Sequence, residues 1–122
     1  ASMSMAQRHL VVAKLRDAEP GRLRGLRAGF LALQSKVAGL SDLQCSVLPA
    51  DPLTERDHAT LVFLARLHDQ AALEAFLRHP EWAYVRDNLL YPLLRGPLEK
   101  SLLVLDFPES TGVSFVSSLV GA

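Results

Sequence analysis

Four histidines and a single cysteine carry most of the chemistry that this 122-residue chain can offer near neutral pH. Histidine changes charge in that range, so one that meets a substrate can move a proton. His9 opens the aliphatic stretch "HLVVAKL" and shares a face with Val11 and Ala13. A histidine in that place is either hydrogen-bonded at a strand end or turned toward a ligand. His79 precedes Pro80 in "FLRHPEW". A residue before proline is pushed out of the helical region, and Pro80 suits the first helical position. His79 therefore reads first as a cap between two helices and second as a base. His9 and His79 are the candidate catalytic residues. His58 and His68 stand at the two ends of an extended stretch that separates them by about 33 Å, too far to share a metal within one chain. No group of Cys, His, Asp and Glu has zinc spacing, and no G-x-S-x-G elbow, P-loop or dinucleotide fingerprint occurs. Neither a metal nor a cofactor is expected. Cys45 lies between Leu43 and Val47 in an alternating pattern and reads as a buried structural thiol.

Composition limits the partners. Thirteen basic residues balance thirteen acidic ones. Phosphate recognition needs a basic excess, and anionic membranes attract basic clusters, so neither nucleic acid nor a membrane is an expected partner. No apolar run approaches the roughly 18 residues of a membrane helix. "ASMSMAQRH" has neither the basic start nor the apolar run of a secretory leader. With one cysteine no internal disulfide is possible, so the expected compartment is the reducing cytoplasm.

The elements that position these residues follow from periodicity. His9 to Leu15 is a short aliphatic strand. Asp17 is a candidate cap and Pro20 an early helical residue of a helix from Pro20 to Val37. Leu23, Leu26, Phe30, Leu33 and Val37 share its inward face, and Gly25 and Gly29 allow close approach to a sheet. Gly39 suits the helix end. Leu43 to Leu48 alternates as a strand, and "PADPLTERD" is a loop. His58 to Leu67 is a second alternating strand. Asp69 caps a helix carrying Leu73, Phe76 and Leu77, which Pro80 ends. A further helix runs from Pro80 to Leu93 with Trp82, Val85, Leu89 and Leu93 inward and with Tyr84 and Tyr91 turned away. Leu98 to Phe107 is the last strand. The order β-α-β-β-α-α-β is the split βαβ pattern of a ferredoxin-like α+β sandwich with an antiparallel sheet.

The strands carry apolar residues on both faces: Leu10 and Val12 oppose Val11 and Ala13, and Val62 and Leu64 oppose Leu61 and Phe63. A sheet face open to water should be polar. A second copy of the chain is the expected cover, which makes a homodimer.

With these segments in place, "HLVVAKL", "DHATLVFLARLHDQAALEAFLRHPEWAYVRDNLLYPLL" and "LLVLDF" resemble the stress-responsive A/B barrel, or Dabb, domain over most of the chain. The resemblance implies a dimeric α+β barrel. Some plant members are polyketide cyclases in which the last histidine of "HPxH" and a tyrosine three residues before its first histidine act as an acid/base pair. Here those positions hold Trp82 and Phe76, so that pair is missing, whereas His9 matches the strand histidine of the cyclase pocket. The same resemblance turns the face of His9 and Val11 toward the helices. His9, Val11, Leu26, Phe30, Phe63, Phe76, Trp82 and Val85 are then the expected wall of a pocket for a small hydrophobic ligand, unless their side chains fill the space themselves. Residues 1–7 read as an N-terminal extension, 8–107 as the Dabb-like domain and 108–122 as a tail, either disordered or docked on the partner. Two functions stay open. One is a homodimeric, stress-associated protein that binds a small apolar ligand. The other is a small enzyme of polyketide-cyclase-like or cofactor-independent monooxygenase-like type, acting on an aromatic or polyketide-like substrate.

Overall fold

A computed structural model of the chain describes residues 5–109. Four strands, β1 (Gln7–Leu15), β2 (Leu40–Leu48), β3 (Ala59–Leu67) and β4 (Leu102–Pro108), form one sheet in the order β2-β3-β1-β4. All three neighbouring pairs are antiparallel. Each helical crossover skips one strand: α1 (Pro20–Lys36) links β1 to β2 across β3, and the helical segment from α2 to α4 links β3 to β4 across β1. This is the split βαβ architecture that the sequence leads one to expect. The expected tail lies mostly outside the described residues.

The helices cover one face of the sheet. Val11, Ala13, Leu15, Leu61, Phe63, Ala65 and Leu67 are buried there against Leu26, Phe30, Leu33, Phe76 and Trp82. Within this core the rings of Phe30 and Phe63 lie 4.6 Å apart and those of Phe76 and Trp82 5.1 Å apart. Such aromatic pairs contribute about 0.5–1.5 kcal/mol each beyond their burial.

Several local expectations need correction. Pro20 starts α1, but the capping position is Glu19, without a side-chain cap bond, and Asp17 stays in the preceding loop. β2 begins at Leu40 rather than Leu43, because its register shifts between Ser41 and Gln44, where Asp42 takes a left-handed φ of 48°. The bulge lets Leu40 and Cys45 both turn inward although an odd spacing separates them. Residues 98–101 form a helical turn, α4 (Leu98–Ser101), instead of the start of a strand. The Ser101 hydroxyl accepts from the Gly96 amide at 3.0 Å and fastens this turn to the Gly96-Pro97 bend.

The helix after Pro80 is also irregular. α2 (Gln70–Leu77) is capped by Asp69, which accepts from the Ala72 amide at 2.8 Å. α3 (Pro80–Tyr84) continues into a π-helical turn, Val85–Leu90, and a 3-10 turn, Tyr91–Leu93. A π turn holds one residue more than an α turn. The inward position therefore moves from the expected Leu89 to Leu90, which is 1% exposed. Leu89 instead packs on α1, where a Cβ placed on Gly29 would overlap its Cδ1. Gly29 thus admits the helix carrying the π turn rather than the sheet.

Among the described residues nothing covers the second sheet face. Leu48, Leu103, Leu105 and Phe107 are 39–50% exposed there, beside half-buried Leu10, Val12, Val62 and Leu64. At one end of this face Arg8 lies opposite Arg66 across the strands. Glu109 joins them, accepting from Arg66 Nε at 2.7 Å and Arg8 Nη2 at 3.0 Å. These contacts, Arg66 first, hold the Glu109 carboxyl below its ordinary range. A depressed carboxyl stabilises the fold above its unfolded pKa of about 4.3, and that contribution fades as pH falls through the lower folded value. Wild type is therefore expected to melt above Glu109→Gln at pH 7, and the gap should close below about pH 4. Thermal melts of both proteins from pH 3 to pH 7 check this.

Candidate functional site

A cleft opens between the edge strand β4 and the helical segment. Its volume is ≈ 150 Å³. His9 and Val11 of β1 and Leu102 and Val104 of β4 form the floor. Leu77, Trp82, Arg86, Leu90 and Tyr91 form the opposite wall. The surface is thus almost wholly apolar, with His9, Arg86 and Tyr91 as its polar side chains.

His9 sits on the inward face of β1 and is fully buried. Its cross-strand partner on β4 is Asp106, and Nδ1 lies 2.5 Å from Asp106 Oδ1. An ionised carboxylate only accepts, so Nδ1 donates, and in the neutral ring Nε2 keeps its lone pair. Among the described residues Nε2 has no hydrogen-bond partner. The ring is held edge-on by Phe76 at 5.2 Å, Trp82 at 5.7 Å and Phe63 at 6.2 Å between centroids. A carboxylate on one nitrogen and an apolar surround at the other make a histidine that can accept one hydrogen bond, or one proton, from a molecule in the cleft.

His79 occupies the capping position of α3, and its Nδ1 accepts from the Glu81 amide at 3.1 Å. It does not line the cleft. Of the expected pocket wall, the structure brings His9, Val11 and Trp82 together at the cleft. Leu26, Phe30, Phe63, Phe76 and Val85 instead fill the core behind it. Asp106, Arg86, Leu90 and Tyr91 are site residues that sequence reasoning missed. Asp106 was legible in principle as the one acid within "LLVLDF", facing His9 in the paired register. Tyr91 follows the π turn, which brings it to the cleft instead of leaving it turned away.

No family model matches the sequence, and no curated protein matches it. Solved structures do. A hydroxynitrile lyase from Passiflora edulis superposes with a TM-score of 0.70 at 12% identity, over 89% of this chain and 97% of that one. A dimeric ferredoxin-like protein of unknown function from Jannaschia sp. CCS1 gives 0.66 at 23% identity, over 85% and 99%. A Dabb family protein with a ferredoxin-like fold from Mesorhizobium loti gives 0.63 at 21% identity, over 87% and 98%. The chain has the ferredoxin-like fold. At these identities the likeness is one of fold, and the site has to be read from its own residues.

Elsewhere in this ferredoxin-like chain Asp57 and Cys45 are both held away from reactivity. Among the described residues no three of His, Cys, Asp and Glu are grouped to hold a metal ion, and no helix is long and apolar enough to cross a membrane. Asp57 is held well below the usual carboxylate range by Arg95 and then by His58. Burial pushes the Cys45 thiol up to about 11, against a smaller opposing pull from Arg27. Thiolate is the reactive form. In the folded protein at pH 8, Cys45 is expected to react with a disulfide reagent at least about 100-fold more slowly than after unfolding in urea. Stopped-flow thiol titration measures both rates.

Proposed function

We propose that the chain acts as a Dabb-like homodimer whose apolar sheet faces pack together, each protomer binding a small, mostly apolar molecule in the cleft beside His9. One polar group of that molecule meets His9 Nε2. The observation that carries the reading is this buried nitrogen, without a partner among the described residues, on the floor of an apolar cleft. Leaving a buried polar atom unpaired costs about 1–3 kcal/mol, a cost that is understandable where a ligand supplies the missing partner. A cavity of about 150 Å³ can admit benzene, so the ligand is a single ring or a short branched chain. The resemblance to Dabb sequences supports the dimer, as do solved neighbours described as dimeric. The lone, buried Cys45 suits a reducing compartment, and the cytoplasm is the proposed location.

Trp82 is the single tryptophan of the chain and lines the cleft, so its emission reports occupancy. Titration with benzyl alcohol is expected to give a saturable change. Toluene, which lacks the hydroxyl, should bind about tenfold more weakly, the worth of one hydrogen bond of about 1.4 kcal/mol. Absence of any saturable change at millimolar concentration would overturn the reading.

The contact between His9 and Asp106 supports a second reading as an enzyme. Asp106 would fix the ring while Nε2 exchanged a proton with substrate. The reaction classes remain polyketide-cyclase-like or cofactor-independent monooxygenase-like, and lyase chemistry joins them on fold analogy with the hydroxynitrile lyase. Asp106→Asn separates the two readings. A binding protein keeps its affinity, whereas an enzyme keeps affinity and loses about 10²–10⁴ in turnover.

A further inference from the structure

We propose that the cleft ligand is an organic anion, a small ring or branched chain bearing a carboxylate or a similarly planar acidic group, and that Arg86 selects it. This rests on the cleft reading above and names the chemical class of its ligand.

Arg86 is the one strongly basic side chain on a lining that is otherwise almost entirely apolar. A cleft that served only to be filled would carry an aliphatic residue at this place, because a guanidinium keeps its charge at any physiological pH. The charge is also held in position. The guanidinium lies over the Tyr91 ring, 5.9 Å from its centroid. Its Nε and Nη2 donate to Asp87 at 2.8 Å and 3.3 Å. Asp87 is half-exposed and is not part of the cleft lining, so it steadies one edge of the fork. Among the described residues Nη1 has no hydrogen-bond partner. A fork fixed along one edge, with donors left on another, suits a planar oxyanion better than a spherical ion.

The backbone supplies an independent observation. Arg86 and Leu90 belong to the π turn Val85–Leu90, and Tyr91 follows it directly. π turns in helical segments are frequently found at functional sites. Here the turn carries the cation, places Leu90 inward and brings beneath the guanidinium the aromatic ring that supports it. On the other side of the cleft the Asp106 carboxylate beside His9 disfavours a second anion. The acidic group of the ligand therefore belongs with Arg86, a second polar group meets His9 Nε2, and the apolar body packs against Trp82, Val11 and Leu102.

Benzoate, benzyl alcohol and benzylamine have nearly the same shape and differ in charge, and Trp82 emission reads all three. Benzoate is expected to bind wild type at least about tenfold tighter than benzyl alcohol, with benzylamine weakest. Arg86→Met should remove the benzoate advantage while leaving the benzyl alcohol affinity within about twofold. Asp87→Asn, which takes away the neighbouring negative charge, should keep or raise it, and a thermal melt of each variant checks its folding. Equal binding of benzoate and benzyl alcohol by wild type, or a benzoate advantage that survives in Arg86→Met, overturns the assignment of Arg86 and leaves the cleft reading standing. If none of the three binds, the cleft reading falls and takes this assignment with it.

Discussion

Replacing His9 by leucine is expected to abolish selective binding in the cleft and to leave the protein about as stable as wild type. Buried polar groups are ordinarily paired, and His9 Nε2 has no partner among the described residues. Leucine removes that atom and fills a similar space. What is lost is the bond from Nδ1 to Asp106. The Asp106 side chain is 32% exposed, so it regains water when the partner goes, and a bond to a charged group is worth about 1.5–3 kcal/mol net. Relief of the unpaired nitrogen, about 1–3 kcal/mol, is of similar size and offsets it. His9→Ala behaves differently, because it empties space among Phe63, Phe76 and Trp82 and should cost about 2–4 kcal/mol. Urea unfolding followed by circular dichroism, run beside Trp82 titrations with benzyl alcohol and toluene, measures both properties. A histidine kept for structure would give the opposite result, with His9→Leu losing more than about 3 kcal/mol. A residue that adds no stability where it stands, and whose removal costs binding, is the pattern of a functional position.

Wild-type protein at about 10 μM is expected to run as a dimer, and Leu105→Lys as a monomer; a stable interface needs about 800 Å² from each partner. Leu105 lies opposite Leu10, which in turn lies opposite Leu64, so these three form a row across the open sheet face. Burying one unpaired ammonium against the same row of another copy costs several kcal/mol in each protomer. The dissociation constant should rise by at least about 10³-fold, equivalent to roughly 4 kcal/mol. The fold itself should survive, because Leu105 is 47% exposed in the single chain. Sedimentation equilibrium of both proteins decides it. A wild type that stays monomeric at 100 μM would leave the apolar sheet face without its proposed cover.

How far the sequence could be read differs from element to element. β1 was legible as a short aliphatic run and β3 as an extended apolar stretch between turn signals, and the Pro20 start of α1 because proline fixes its own φ. The capping role of Asp69 was legible because an aspartate directly before an apolar-periodic stretch has one local use. β2 was read three residues short, since the left-handed Asp42 breaks the alternation that defines a strand. The helix after Pro80 was read as regular. Its periodicity fits Leu89 inward as well as Leu90, and the choice is made by Leu89 packing on Gly29, sixty residues away in sequence.

The site divides along the same line. The sequence by itself determined the order of elements and the apolar character of both sheet faces. These follow from local periodicity and from the short list of connections that a split βαβ chain can make, whereas the inward place of His9 on β1 was read from the resemblance to Dabb sequences. Only the tertiary structure decided that Asp106 stands beside His9 and that Phe30, Phe63 and Phe76 fill the core. It also decided that Arg86 and Tyr91 face the cleft through the π turn. Cross-strand register and helix packing bring together residues as far apart as 9 and 106. No periodicity within one segment records which side chains will meet there, or how much space they leave.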